Sequence, residues 1–227
     1  MAEITAAMVK KLRDETGAGM MDAKRALTEA GGDAEKARDW LRAKGLSRAA
    51  DKAGRKTREG RVHAYVHAAG GVATKGALVA LQCESDFVAN TDDFKTLAHE
   101  IALQVVGSLP QYVRREDVPV ALVERERSVY REQVVDKPAN IQDKIIDGKM
   151  NDFYAKVCLL DQPWIKEGKR KVGDLVTDAV AKLGENITVA GFARLEVGAP
   201  AIFACPEASA AGTNGASGNG AGAPVPE

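Results

Sequence analysis

The chain has 227 residues, and its 32 basic and 32 acidic side chains cancel to a formal net charge of zero. This balance excludes a whole-protein electrostatic attraction to nucleic acid or to an anionic membrane. Three cysteines without CxxC spacing argue against a disulfide framework. The N-terminus lacks an apolar signal core and no apolar run approaches the ~18 residues of a membrane span, so we expect a cytoplasmic protein.

Three short amphipathic helices are predicted at the N-terminus. The first carries Ile4, Met8 and Leu12 along one stripe and ends at the glycines that follow. The second has alanines and a leucine at helical spacing before a pair of glycines, and Asp33 can cap the third. These stripes can be buried only against each other, so residues 1–54 are expected to form a three-helix bundle.

A basic stretch follows the bundle, because residues 42–61 contain eight basic side chains and two acids. We interpret the stretch as a solvated helix end and linker rather than a phosphate-binding patch. It lacks the interleaved aromatic residues on which single-strand nucleic-acid binders stack bases. An RNA- or ribosome-binding module built on this stretch is the alternative function.

The central part of the chain predicts an antiparallel sheet with helices. A hairpin is expected over residues 61–83, where apolar and polar residues alternate around a pair of glycines. Residues 92–107 have the cleanest helical period in the chain, and a further helix is expected at 172–183. Alternation returns at 187–197, which would be the third strand of the sheet.

The fold class is therefore predicted as α+β, with a core domain in residues 55–118 and 158–198. Residues 119–157 predict a helical hairpin, because two charged helices with thin apolar stripes flank a short break. This pattern is typical of a projecting coiled-coil arm, although an ordinary pair of surface helices fits it too. The Ala/Gly-rich residues 199–227 are expected to be a disordered tail, since they offer little to offset ordering entropy.

One segment stands out between the hairpin and the following helix. Here Asp86 and Phe87 place an acid and a large aromatic side by side at a strand-to-helix turn. Such turns can hold side chains out from a rigid scaffold. The residues alone leave two destinations for Phe87, the chain's own core, which general burial statistics favour, or a pocket on a partner.

Motifs of enzymatic chemistry are missing from the sequence, which has no GxGxxG, GxxxxGK[ST] or GxSxG. His63 and His67 share one strand face near Cys83, but a fourth ligand and the usual paired spacing of a metal site are lacking. We therefore expect a binding or regulatory protein rather than an enzyme, with no metal and no cofactor.

Three stretches resemble the elongation factor Ts family. Leu12 to Leu27 is similar to its N-terminal signature, and Cys83 to Val88 is similar to its Thr-Asp-Phe-Val turn, with Ser85 in the Thr position. The third stretch runs from the Gly-Lys-Met of residues 148–150 to the end of the 187–198 strand region. Together they cover residues 1–198, and only the tail lies outside the resemblance.

The resemblance implies a translation elongation factor that acts as a guanine-nucleotide exchange factor. It would bind elongation factor Tu in its GDP-bound and nucleotide-free forms, dislocate Mg²⁺ and promote GDP release so that GTP can enter. The bundle would be a ubiquitin-associated-like (UBA-like) docking domain. Its implied docking residues are Leu12, Arg13, Thr16, Gly17, Met20 and Met21. The implied partner-binding residues of the turn are Ser85, Asp86, Phe87 and Val88, with Phe87 as a wedge and Asp86 as a polar contact.

The resemblance also bears on oligomeric state. Longer relatives carry two copies of the core subdomain, whereas this chain has one. A single three-stranded half leaves an edge and an apolar face to cover. We therefore expect a homodimer that forms a heterotetramer with two partner molecules, without contacts to membrane or direct contacts to nucleic acid.

Overall fold

The computed structural model describes residues 4–205 and confirms the α+β class, with N-terminal helices followed by an antiparallel sheet and further helices. In chain order the helices are α1 (Ala6–Thr16), α2 (Met20–Glu29), α3 (Ala34–Lys52), α4 (Asp86–Ala89), α5 (Asp92–Ser108), α6 (Val120–Glu132), α7 (Ala139–Val157) and α8 (Val172–Leu183). The strands are β1 (Glu59–Ala69), β2 (Val72–Cys83), β3 (Pro163–Trp164), β4 (Glu167–Lys171), β5 (Thr188–Glu196) and β6 (Ile202–Ala204).

Helices α1 to α3 pack around a small hydrophobic cluster of their own. Caps set their ends: the Thr5 side chain accepts a hydrogen bond from the backbone N–H of Met8, and Asp33 does the same at the start of α3. Gly17 ends α1 with a φ of 67°, a left-handed conformation that favours glycine. The buried residues of this cluster are Val9, Leu12, Ala23, Ala26, Leu27 and Ala37.

Helix α3 is longer than its apolar stripe predicts, because it continues through the basic stretch to Lys52. Its second half packs against α8. A Cβ atom on Gly45 would lie 3.3 Å from Cβ of Ala181, so the two helices cross closely at this point. The basic stretch is therefore partly the helix that joins the bundle to the rest of the molecule.

The main sheet has four antiparallel strands in the order β1-β2-β5-β6, one more than the three predicted. The additional strand, β6, pairs with β5 through residues 202–204. This corrects the expected start of the tail at residue 199, because the apolar residues Ile202, Phe203 and Ala204 pair with β5 at the edge of the sheet. The remainder of the expected tail, residues 206–227, lies outside the described residues.

A second, two-stranded sheet of β3 and β4 was not predicted from the sequence. Its strands are short, and β4 reads Glu-Gly-Lys-Arg-Lys, with no apolar alternation to detect. Helices α6 and α7 pack against one another and share a separate hydrophobic cluster. That cluster includes Val134, Ile146, Met150 and Phe153, whereas α6 itself has no buried residue.

Helix α5 covers one face of the main sheet and builds the largest core. Phe94 and Ile101 of α5 are fully buried with Val79 and Leu81 of β2, and Val180 of α8 closes the same cluster. On β1, the polar side of the alternation faces this helix: the ring of Tyr65 packs there, and the rings of His63 and His99 meet edge to face at 5.3 Å.

The opposite face of the main sheet, which we call the outer sheet face, is apolar and largely exposed. Val62, Val66, Leu195 and Phe203 are all exposed, and Leu78 at its centre retains 50% exposure. The cross-strand rows of this face are Val62–Ala80–Gly191, Ala64–Leu78–Ala193–Phe203 and Val66–Gly76–Leu195. None of these rows contains a charged residue, so the face presents a continuous apolar surface.

Candidate partner-binding site

The segment that links β2 to α5 contains a single turn of helix, α4, rather than an irregular loop. Ser85 is its N-cap, and its hydroxyl accepts a hydrogen bond from the backbone N–H of Val88 at 3.4 Å. Asp86 lies in the first turn, where a negative charge suits the positive end of the helix. We refer to residues 85–88 as the 85–88 turn.

Phe87 projects from this turn into solvent, with 82% of its surface exposed. Its neighbours anchor the turn in the opposite direction, because Ala89 is buried and Val88 packs against the main core. Burial of Phe87 in the chain's own core, one of the two expectations from the sequence, is therefore wrong. The core position belongs to Phe94, seven residues on, which has no exposed surface.

A carboxylate 100 residues further along the chain binds the start of the turn. One oxygen of Glu185 accepts hydrogen bonds from the backbone N–H groups of Glu84, at 3.1 Å, and Ser85, at 3.0 Å. Its other oxygen accepts a hydrogen bond from the Ser85 hydroxyl at 2.6 Å. Sequence reasoning missed Glu185 because it is 100 residues from Ser85 and lies in no recognisable motif of charged residues.

The segments around residues 84 and 185 share a second set of contacts, in which the carboxylate belongs to Glu84 and the donor to Asn186. The side chain of Glu84 accepts a hydrogen bond from the backbone N–H of Asn186 at 2.7 Å. The amide of Asn186 then donates to the backbone carbonyls of Arg55, at 2.8 Å, and Ala53, at 3.4 Å. The loop after α8 therefore contacts both the 85–88 turn and the connection from the N-terminal bundle.

The N-terminal docking residues fall into two groups. Leu12 is 2% exposed and belongs to the hydrophobic core of the bundle, and the Thr16 hydroxyl donates to the Leu12 carbonyl at 2.6 Å. Leu12 therefore shapes the bundle rather than offers a surface, as does the cap at Gly17, whereas Thr16 is exposed. Met20 and Met21 instead expose 48% and 75% of their surfaces at the start of α2, and Arg13 is also exposed.

A chain of contacts joins the end of α1 to the start of α5, the helix that follows the 85–88 turn. A Cβ atom on Gly17 would lie 3.5 Å from the aliphatic carbons of Lys182 on α8. The ammonium of Lys182 donates to the carboxylate of Asp93 at 2.7 Å, and Asp93 lies in the first turn of α5. The structure thus connects two regions that are far apart in sequence through the C-terminal end of α8.

Much of the basic stretch is engaged within the molecule. Lys44 and Arg48 both bind Asp22, at 2.8 and 2.9 Å, and these partners lower the pKa of that carboxyl to about 2 from an ordinary 3.8. Lys52 donates to the carbonyl of Gly184. Internal pairing leaves fewer cations for phosphates, and this weighs against the RNA- or ribosome-binding alternative.

The residues considered for a metal are not brought together. His63 pairs with His99 at 3.3 Å, whereas the thiol of Cys83 is buried and donates to the Ser85 carbonyl at 3.1 Å. Within residues 4–205, no group of three or more His, Cys, Asp or Glu side chains is arranged to hold a metal ion.

None of the helices in the described part of the chain is long and apolar enough to cross a membrane.

Comparisons with known proteins agree on one family. The model of the family described as elongation factor Ts matches residues 46–199. A relative from Carboxydothermus hydrogenoformans is 52% identical over 197 residues, which cover 86% of this chain and 89% of the relative. Relatives from Coprothermobacter proteolyticus and Thermotoga maritima are each 50% identical over 86% of this chain, and the matches cover 99% and 97% of their own lengths. All three relatives carry the name elongation factor Ts.

Proposed function

Because this chain belongs to the elongation factor Ts family and is a translation elongation factor, we propose that it is the guanine-nucleotide exchange factor of elongation factor Tu. It binds the GDP-bound partner, promotes release of GDP and leaves the nucleotide-free partner ready for GTP. This function makes and breaks no covalent bond, so it requires a shaped surface rather than a catalytic group.

The observation that carries this proposal is the exposure of Phe87 on an anchored support. An exposed phenylalanine on a mobile loop would collapse onto its own protein, since burial of its apolar surface is favourable. Here Val88 and Ala89 anchor the backbone in the core, and Ser85 caps the helix from the other side. The side chain of Phe87 is thereby available to enter a partner as an apolar wedge.

Displacement of GDP by such a wedge follows from linkage. GDP and Mg²⁺ bind tightly because several charge-assisted contacts act together. Phe87 needs only to stabilise a partner conformation in which these contacts are misplaced, with Asp86 as a polar contact beside it. If binding of the chain lowers the affinity of elongation factor Tu for nucleotide by some factor, bound nucleotide lowers the affinity of elongation factor Tu for the chain by the same factor. The complex is therefore transient while nucleotide is present.

The bundle supplies a separate docking surface in this proposal. Met20 and Met21 are exposed side by side at the start of α2, and methionine side chains adapt readily to an apolar groove. Arg13 adds a positive charge on the neighbouring helix. Contacts at the bundle would hold elongation factor Tu while the 85–88 turn acts on its nucleotide site.

The direct test uses purified elongation factor Tu loaded with a fluorescent GDP analogue. Substoichiometric amounts of the chain are expected to speed GDP release after unlabelled nucleotide is added, because each molecule acts repeatedly. Stopped-flow fluorescence measures the release rate. Release that stays at its intrinsic rate at every concentration of the chain would contradict the proposal, and RNA binding with steep salt dependence would then favour the alternative.

We also propose that a second copy of this chain covers the outer sheet face. The face is apolar across four strands and has no charged residue in its central rows, which suits self-association about a two-fold axis. Two such faces would stack as a sandwich with the sheets about 10 Å apart. With one partner bound to each chain, the assembly is a heterotetramer of two factors and two molecules of elongation factor Tu.

Leu78→Glu is expected to convert the homodimer into a monomer, because it places a charge at the centre of the buried face. Light scattering after gel filtration at micromolar concentration measures the mass. Val120→Glu is the matched control, since Val120 is also an exposed apolar residue but lies at the start of α6, and it should remain dimeric. A monomeric wild-type chain, or a Leu78→Glu variant that stays dimeric, contradicts the proposed interface.

A further inference from the structure

We propose that Glu185 is a positioning residue that sets the direction in which the 85–88 turn presents Phe87. The inference rests on the proposed exchange function and adds a residue that neither the family signatures nor the sequence pattern singles out. Glu185 does not touch the partner in this account. It acts through the backbone and hydroxyl of Ser85.

Both carboxylate oxygens of Glu185 accept hydrogen bonds from the start of the 85–88 turn. Gly184 ends α8 with a φ of 79°, so the chain reverses and Glu185 leaves the helix toward β2. Its two oxygens then accept three hydrogen bonds, from the backbone N–H groups of Glu84 and Ser85 and from the Ser85 hydroxyl, at 3.1, 3.0 and 2.6 Å. Bonds to a charged acceptor are stronger than neutral ones.

These bonds matter because α4 cannot fix its own direction. A helix of four residues lies far below the length at which helices are stable alone, so outside contacts must orient it. The Ser85 hydroxyl donates to Glu185 and accepts from the N–H of Val88, which follows Phe87. Hydrogen bonds therefore connect Glu185 through the Ser85 hydroxyl to the backbone of Val88, so they span Phe87 on both sides.

The backbone of Glu185 is fixed by the hydrogen bonds of the next residue, Asn186. The backbone N–H of Asn186 binds the Glu84 carboxylate, and the Asn186 amide, in a residue only 5% exposed, binds the carbonyls of residues 53 and 55. Each of the two segments thus donates a backbone N–H to a carboxylate of the other. This reciprocal arrangement fixes the position of the Glu185 backbone independently of its own side chain.

A wedge that is already oriented loses less conformational freedom when it enters the partner, so its insertion is more favourable. A wedge that is free to rotate or shift by about 1 Å acts far less effectively, even when its chemistry is unchanged. Loss of the Glu185 carboxylate should therefore reduce the action of Phe87 while docking through the bundle persists.

The test compares four variants in the GDP release assay. Glu185→Ala is expected to lower the release rate at saturating factor roughly 10-fold to 100-fold, with little change in the half-saturating concentration. Glu185→Gln should remain within about fivefold of wild type, because an amide oxygen still accepts from both backbone N–H groups. Glu185→Asp withdraws the carboxylate by one methylene and should lie between them, and it replaces Glu185→Ala if that variant does not fold.

Asp161→Ala is the matched control. Asp161 is also a partly buried carboxylate with several partners, since it accepts from Arg115 and Lys171, but it contacts nothing in the 85–88 turn. Its loss should lower the melting temperature without lowering the saturated release rate. A Glu185→Ala variant that is less stable yet releases GDP at the wild-type rate would overturn the proposal, because Glu185 would then be structural only.

A second measurement does not depend on exchange activity. The amide hydrogens of Glu84 and Ser85 donate to Glu185, so they should exchange with solvent at least tenfold faster in Glu185→Ala than in wild type. This factor corresponds to about 1.4 kcal/mol of lost protection. NMR-detected hydrogen exchange reports each amide. Unchanged exchange at these amides would overturn the positioning role even if release falls, whereas a wild-type chain inactive in the release assay would instead refute the proposed function.

Discussion

Phe87→Ala is expected to lower the maximum rate of GDP release from elongation factor Tu about 30-fold or more, the factor that corresponds to the ~2 kcal/mol of an interface hot spot. Its melting temperature should be unchanged, because a side chain that is 82% exposed contributes little to the chain's own core. Stopped-flow release of fluorescent GDP at saturating factor measures the first effect, and thermal unfolding measures the second.

Two further variants sharpen this result. Phe87→Leu keeps an apolar side chain of reduced size and should retain part of the activity. Val120→Ala truncates another exposed apolar residue, at the start of α6, and should leave release unchanged. If Phe87→Ala released GDP as fast as wild type, the wedge assignment would fail even though Phe87 is exposed.

Phe94→Ala should have the opposite signature. Phe94 is fully buried between the main sheet and α5, so its truncation removes apolar contacts and leaves a cavity in the largest core. We expect a loss of about 3–5 kcal/mol in the free energy of unfolding. Urea unfolding followed by circular dichroism gives this quantity directly.

Comparing the Phe87 and Phe94 variants distinguishes an effect on GDP release from an effect on stability. Under conditions in which Phe94→Ala is still folded, its release rate should stay close to that of wild type, since the contacts of Ser85 with Glu185 do not involve Phe94. A loss below about 1 kcal/mol in stability for Phe94→Ala would contradict the assignment of this residue to the core.

Elements with a strong local period were predicted accurately. The helix expected at residues 172–183 is Val172–Leu183, and the one expected at 92–107 is Asp92–Ser108. Both have apolar residues at helical spacing within a short window, and Thr91 also caps the start of α5. By contrast, β6 and the β3–β4 hairpin escaped prediction, because β6 and β3 have only three and two residues and β4 is polar, so none of them shows an alternating period.

Sheet alternation left a different question open. On β1, Val62 and Val66 alternate with His63 and Tyr65, and either set can in principle face a core. The structure turns Tyr65 and His63 toward α5 and leaves Val62 and Val66 on the outer sheet face. Side-chain period is two in any strand, so the pattern locates the faces without saying which one a helix covers.

Sequence by itself determined the family, the helices of the bundle and the identity of the 85–88 turn, because each is encoded in a contiguous run of residues. It left Phe87 with two destinations, the core and a partner. Tertiary structure excluded the core, since the packing of Val88 and Ala89 turns Phe87 outward. Only the fold brings Glu185 to Ser85 across 100 residues. Such a contact depends on how β2 and the end of α8 pack together, and no local window contains that information.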